Sequence, residues 1–130
     1  MKVLVTGSRG MLARAVRAEL ERRGHDVVAP DEGALDVTSP ADVDRVVEEW
    51  TPDTVIQCAA YTAVDLAEEH EDQAMRVNGD GTAIVARACR RLGARFVYPS
   101  TDYVFDGTAT EPYLPGTRPA PLNAYGRSKL

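Results

Sequence analysis

Cysteine occurs only twice in this sequence, at Cys58 and Cys89, and neither has a second cysteine near it. With that spacing neither thiol belongs to a metal or redox motif, so both are expected to be reduced and buried. Long apolar runs are missing too. No stretch approaches the roughly 20 apolar residues of a membrane span, and MKVLVTG is too short an apolar run for a signal peptide. The expectation is a soluble, cytoplasmic protein with no membrane partner. Nor is there an excess of basic charge: 15 Lys and Arg stand against 20 Asp and Glu, a net charge of −5. That balance argues against a nucleic-acid partner.

What the sequence does hold is enough apolar material for a core, 44% of 130 residues, at the usual length of one domain. No repeat, low-complexity tract or linker divides it. Its charge is unevenly spread. Residues 31–72 carry 13 acids and a single base, Arg45, whereas residues 73–130 carry 4 acids and 8 bases. The acidic stretch reads as solvated helix faces, and an anionic ligand would favour the basic parts.

The hydrophobic pattern alternates between strand and helix. Residues 2–6 (KVLVT) form a short β-branched run, followed by Gly7-Ser8-Arg9-Gly10 and then by Leu12, Ala13, Val16 and Leu20 at helical spacing. This predicts a strand, a glycine turn and a helix ending at Gly24. A second strand is predicted over 25–29, stopped by Pro30, and 34–37 is read as extended loop. Ser39-Pro40-Ala41-Asp42 supplies an N-cap, a proline in the first turn and an early acid, which predicts a helix to Trp50. A third strand over 53–58, a long helical region over 65–92 and a fourth strand over 95–98 follow. Residues 106–122 read as loop, and Asn123 as the cap of a final helix. Alternating strands and helices imply an α/β fold with a parallel sheet and right-handed crossovers.

In such a sheet ligands bind beyond the carboxyl ends of the strands, where strand order reverses. Gly7-x-x-Gly10-x-x-Ala13 lets the backbone approach a pyrophosphate, whose charge the free N–H groups at the helix start stabilise. Asp36 is either an acceptor for an adenine amino group or an ordinary capping acid. Asp31 and Glu32 stand where a ribose-reading residue is expected and would repel a 2′-phosphate, which Arg9 would attract, so NADH and NADPH both remain open. Tyr125 and Lys129 lie four residues apart, on one helix face. A nearby ammonium lowers the pKa of a phenol from its ordinary value of about 10, and such a phenol can give a proton to a carbonyl oxygen as hydride arrives at carbon. Thr101 can hydrogen-bond the same oxygen, with Ser100 as the competing hydroxyl. Asp102, Tyr103 and Asp106 are expected to shape the turn.

Together the stretches VTGSRGML, LDVTSPADV, CAAYTAVDLAEE, VNGDGTAIVARAC, PSTDYVFDGT, EPY and PLNAYGRSKL resemble the extended short-chain dehydrogenase/reductase superfamily. Within it they most closely resemble the dTDP-4-dehydrorhamnose reductase family. The glycine turn and Tyr-x-x-x-Lys belong to the superfamily at large, whereas STDYVFDG and AAYTAVD are specific to this branch.

The resemblance implies a Rossmann-type, doubly wound parallel sheet in three α/β/α layers, an NADPH or NADH cofactor, a nucleotide-sugar partner and a homodimer as candidate assembly. Thr101, Tyr125 and Lys129 would be the catalytic triad, Lys129 also holding the nicotinamide ribose. Gly7, Arg9, Gly10, Met11 and Leu12 would line the pyrophosphate, Asp36 and Val37 would lie near adenine, and Ala59, Ala60 and Tyr61 beside the ribose and nicotinamide. Thr62 and Val64 would approach the sugar nucleotide, as would Thr101. Asn78 would support the site, its plain alternative being an exposed polar residue. Leu66 replaces the family's usual lysine, and LPGTRPAP lacks the acids common in that loop. Family members are much longer, so residues 1–130 are expected to be an amino-terminal, NAD(P)-binding portion without the substrate lobe. A nucleotide-binding regulatory module, akin to a regulatory subunit of methionine adenosyltransferase, and a sugar-nucleotide epimerase or dehydratase are the alternative readings.

Overall fold

A computed structural model describes residues 1–130. Four short parallel strands, β1 (Lys2–Val5), β2 (Asp26–Val28), β3 (Thr54–Ile56) and β4 (Arg95–Val97), form one sheet in the order β2-β1-β3-β4. Strand order reverses between β1 and β3, so the crevice expected to take a ligand opens there. The stretch 34–37 is not a strand, as expected.

Side chains alternate across the sheet and fill two cores. Leu4, Val55 and Phe96 point to one face, where α2 (Pro40–Trp50) and α5 (Gly81–Leu92) cover them with Val43, Val46, Val47, Val85 and Cys89. Val3, Val5 and Ile56 point to the other, against Ala13, Val16 and Leu20 of α1 (Met11–Arg22). The result is a Rossmann-type, three-layer α/β/α arrangement. Val97, on the same side as Ile56, remains 41% exposed because α1 sits over β1 and β2 rather than β4.

Helix boundaries follow the capping chemistry. Ser39 Oγ accepts the Asp42 N–H at 3.3 Å at the start of α2. Gly24 and Gly93 follow α1 and α5 at φ +78° and +77°, left-handed positions suited to glycine. Thr51 makes the same turn after α2 at φ 43°, which strains a β-branched residue.

The long helix expected over 65–92 is interrupted. It is α3 (Val64–Ala67), a turn at Glu68 and Glu69, α4 (Glu71–Ala74), a π-helical turn at Met75–Asp80, and then α5. Asp65, Glu68, Glu69, Glu71 and Asp72 would repel one another at helical i,i+3 and i,i+4 spacings. Breaking the helix also frees two of them for distant partners. Glu68 Oε1 accepts the Ala124 N–H at 2.6 Å, and Glu71 meets Arg127 at 2.7 Å, both on α6 (Ala124–Lys129). No helix is long and apolar enough to cross a membrane.

Candidate active site

The glycine turn after β1 packs directly on the segment that follows β3. Gly7 has φ +69°, and a Cβ there would lie 2.7 Å from the Ala59 backbone, so only glycine fits. Beneath it Thr6 and Gln57, each 1% exposed, hold Ala59 in place. Thr6 Oγ1 donates to Gln57 Oε1 and accepts the Ala59 N–H, both at 3.0 Å, while Gln57 Nε2 donates to the Ala59 carbonyl at 3.3 Å. The signal for this pair was present in sequence: each is a polar residue at the end of an apolar strand, where buried polarity needs a partner.

Over this floor lies a cavity of about 260 Å³ that gathers the predicted residues Gly7, Arg9, Gly10, Asp36, Val37, Ala59 and Ala60. Glu32, expected near the ribose, also lines it, and Ser8, Leu35, Thr38, Cys58 and Val77 join them without having been assigned to it. The Gly10 N-cap of α1 has no side-chain cap, so the helix's first N–H groups are available to an anion. The donor set and the Cβ-free cradle fit a dinucleotide pyrophosphate. Met11 and Leu12 are 90% and 48% exposed and lie outside the cavity lining, so what they offer an anion is their main-chain N–H groups. Asp36 does not cap α2, whose N-cap is Ser39. Its Oδ1 accepts the Thr38 N–H and hydroxyl, each at 2.8 Å, and these bonds hold its carboxyl below its ordinary range while it lines the cavity. Cys58 corrects the expectation of burial: it is only half-buried, and desolvation raises its thiol pKa while Lys129 opposes that shift.

A second group assembles beyond β3 and β4. Asn123 Oδ1 caps α6 by accepting the Gly126 N–H at 2.7 Å, as its position in the sequence predicts. The Tyr125 ring meets Tyr103 edge-on, centroids 5.7 Å apart. Thr101 lies beside it, capping a 3₁₀ turn at Asp102–Val104 by accepting the Tyr103 N–H, whereas Ser100 is exposed. Partial burial raises the Tyr125 phenol above its ordinary pKa, and the Thr101 hydroxyl is the chief influence lowering it.

Lys129 departs from expectation. It is 6% exposed, donates to the Pro99 carbonyl at 2.8 Å and lies 4.0 Å above the Tyr98 ring. Its charge acts on Cys58 and is not among the influences on Tyr125, so the expected lowering of the phenol by the ammonium is absent from this arrangement. Burial lowers the amine's own pKa.

Asn78 ties the two groups together. It is 1% exposed rather than a surface residue, and the π-turn aims it inward. Its Oδ1 accepts the Tyr61 N–H at 2.8 Å, and its Nδ2 donates to the Tyr61 carbonyl at 2.9 Å and to Ser128 Oγ at 2.8 Å. Ser128 Oγ in turn donates to the Tyr125 carbonyl at 2.7 Å. Tyr61 itself packs on Ala67, Ala74 and Ala124 together with Tyr125. Of the predicted sugar contacts, Thr62 is exposed and Val64, partly buried, opens α3; neither belongs to the cavity.

The model of the RmlD substrate binding domain matches residues 1–130. A dTDP-4-dehydrorhamnose reductase of Burkholderia thailandensis is 45% identical over 100% of this chain and 43% of its own length. Among solved structures, a dTDP-4-dehydrorhamnose reductase from Bacillus anthracis in complex with NADP is 43% identical, with a TM-score of 0.95 over 98% of this chain and 46% of that one. A Thermus thermophilus UDP-glucose 4-epimerase in complex with NAD is 26% identical, with a TM-score of 0.90 over 99% of this chain and 47% of that one. The chain thus spans less than half the length of these relatives.

Proposed function

The chain belongs to the RmlD substrate binding domain family, and on that footing we propose that the whole protein reduces a nucleotide-linked 4-keto-6-deoxy sugar with NADPH or NADH, most closely dTDP-4-dehydrorhamnose. Residues 1–130 would be its NAD(P)-binding Rossmann part, in a cytoplasmic protein; a homodimer is the assembly that sedimentation would test. The observation that carries this reading is the glycine cradle packed on Ala59 and joined through Asn78 to the helix of Tyr125, with the Thr101 hydroxyl beside the phenol.

Gly7, Gly10 and the first N–H groups of α1 hold the cofactor's pyrophosphate, with Val37 and Asp36 on the adenine side. The cofactor, when bound, supplies hydride to the ketone carbon. Thr101 orients the ketone oxygen through its hydroxyl, and Tyr125 gives its phenolic proton to that oxygen as negative charge develops. Burial favours the neutral phenol, the form that can donate. Lys129, once released from Pro99, would hold the nicotinamide ribose and stabilise the phenolate that remains. Thr62 and Val64 face the sugar nucleotide.

The engagement of Lys129 with Pro99 and Tyr98 also favours a second reading, a module that binds cofactor without turnover. Oxidation of NADPH and NADH by the whole protein, measured with a panel of nucleotide 4-keto sugars, separates the two. Oxidation with a dTDP-linked 4-keto-6-deoxy sugar is expected, and cofactor binding without oxidation of any panel member would establish the module. Tightly retained NAD in the purified protein would instead point to an epimerase.

A further inference from the structure

We propose that Asp31 is a built-in competitor for the cofactor's 2′-phosphate, and that by holding the Arg9 guanidinium it sets how strongly the site prefers NADPH to NADH. This rests on the cofactor reading above and names the side chain that decides between the two cofactors.

Arg9 is the only base among the residues lining the cavity, which also include the acids Glu32 and Asp36. Its guanidinium does not stand free. Nη2 lies 3.0 Å from Asp31 Oδ2, so the ion pair joins the glycine turn to the loop after β2 across the cavity mouth. In dinucleotide folds that loop is where the adenosine ribose is read when the pyrophosphate rests on the glycine turn.

The two partners are not equally held. Asp31 is the corner of a turn: its Oδ1 accepts the Ala34 N–H at 3.2 Å, and its carbonyl accepts the Ala34 and Leu35 N–H groups at 3.0 and 2.9 Å. Arg9 has a side chain 77% exposed and a single partner. The arginine is therefore the one that can move.

Paired in this way, Arg9 contributes little positive potential, and the mouth is dominated by carboxylates. Asp36 is occupied by Thr38, and Glu32 forms no ion pair. A ribose 2′-hydroxyl can donate to such a rim. A 2′-phosphate cannot, and must take Arg9 from Asp31. Guanidinium binds phosphate through two parallel hydrogen bonds, so the exchange is chemically favourable, but the lost ion pair and the carboxylate left behind are charged against NADPH alone. NADH leaves the pair intact.

The test is calorimetric titration of the whole protein with NADPH and with NADH, for the wild type, Asp31→Asn, Arg9→Gln and the double variant. Asparagine retains the oxygen that accepts the Ala34 N–H, so the turn is preserved while the charge goes. Asp31→Asn is expected to tighten NADPH about three- to fivefold while leaving NADH affinity essentially unchanged. In the Arg9→Gln background the same substitution is expected to have no selective effect. The proposal is overturned if Asp31→Asn moves both cofactors equally or neither, or if its selective effect persists without Arg9, which would indicate simple repulsion. If the wild type binds neither cofactor, the functional reading fails and this inference fails with it; binding with an unchanged ratio removes this inference alone.

Discussion

Tyr125 carries the chemistry proposed for this protein, and its surroundings set the pH at which it can act. Burial pushes its pKa above the ordinary phenol value, with Tyr98, Asp102 and Tyr103 adding to the rise and Thr101 opposing it. With Lys129 held on Pro99, the neutral phenol therefore persists as pH rises through about 10. Thr101→Val removes the main lowering influence, so tyrosinate absorbance from Tyr125, resolved by difference against Tyr125→Phe, is expected to appear at higher pH than in the wild type. An unchanged or lower midpoint would contradict the assigned contact. Several residue-level features were legible in the sequence, the glycine cradle and Asn123 as a cap among them. The position of Lys129 was not. Spacing places Lys129 on the same helix face as Tyr125, but the Pro99 carbonyl and Tyr98 ring that hold its amine come from residues after β4, and no local pattern reveals them. Burial of Asn78 was hidden for the same reason, since its partners lie 17 and 50 residues away.

Among the elements, strands and helix starts were readable because their signals are local: β-branched runs, Ser39 with Pro40, and a glycine after α1 and α5. The break between α3 and α5 was not. The stretch 65–92 lacks proline and has no glycine before Gly79, so nothing in it signals a break near residue 70, while the reason for one is a carboxylate cluster whose partners, Ala124 and Arg127, sit on α6. One element end remains strained. Thr51 terminates α2 in the left-handed region at φ 43°, where its branched Cβ is crowded, and glycine is relieved of that cost. Thr51→Gly is expected to stabilise the protein by about 1 kcal/mol, offset in part by the greater chain entropy of glycine. Urea denaturation checks it, and a loss of stability would contradict the strain.

For the molecule as a whole, the sheet order sets the outcome: the reversal between β1 and β3 brings Gly7, Ala59 and Cys58 to one crevice. Cys58 reports on that crevice. Cys89 is 1% exposed, whereas Cys58 is half-buried and lines the cavity. Desolvation raises the Cys58 thiol pKa above the ordinary value, so alkylation is expected to be slow and to slow several-fold further under saturating NADPH. Peptide mapping after timed labelling measures it, and equal rates with and without NADPH would place the cofactor elsewhere. The central claim, that Tyr125 delivers the proton in a nicotinamide-dependent ketone reduction, is met most directly by one comparison. NADPH oxidation with a dTDP-linked 4-keto-6-deoxy sugar is followed for the whole wild-type protein and for Tyr125→Phe. A fall in kcat of roughly 10²–10⁴-fold, with NADPH affinity little changed, is the expected result; turnover by the phenylalanine variant at the wild-type rate would contradict it.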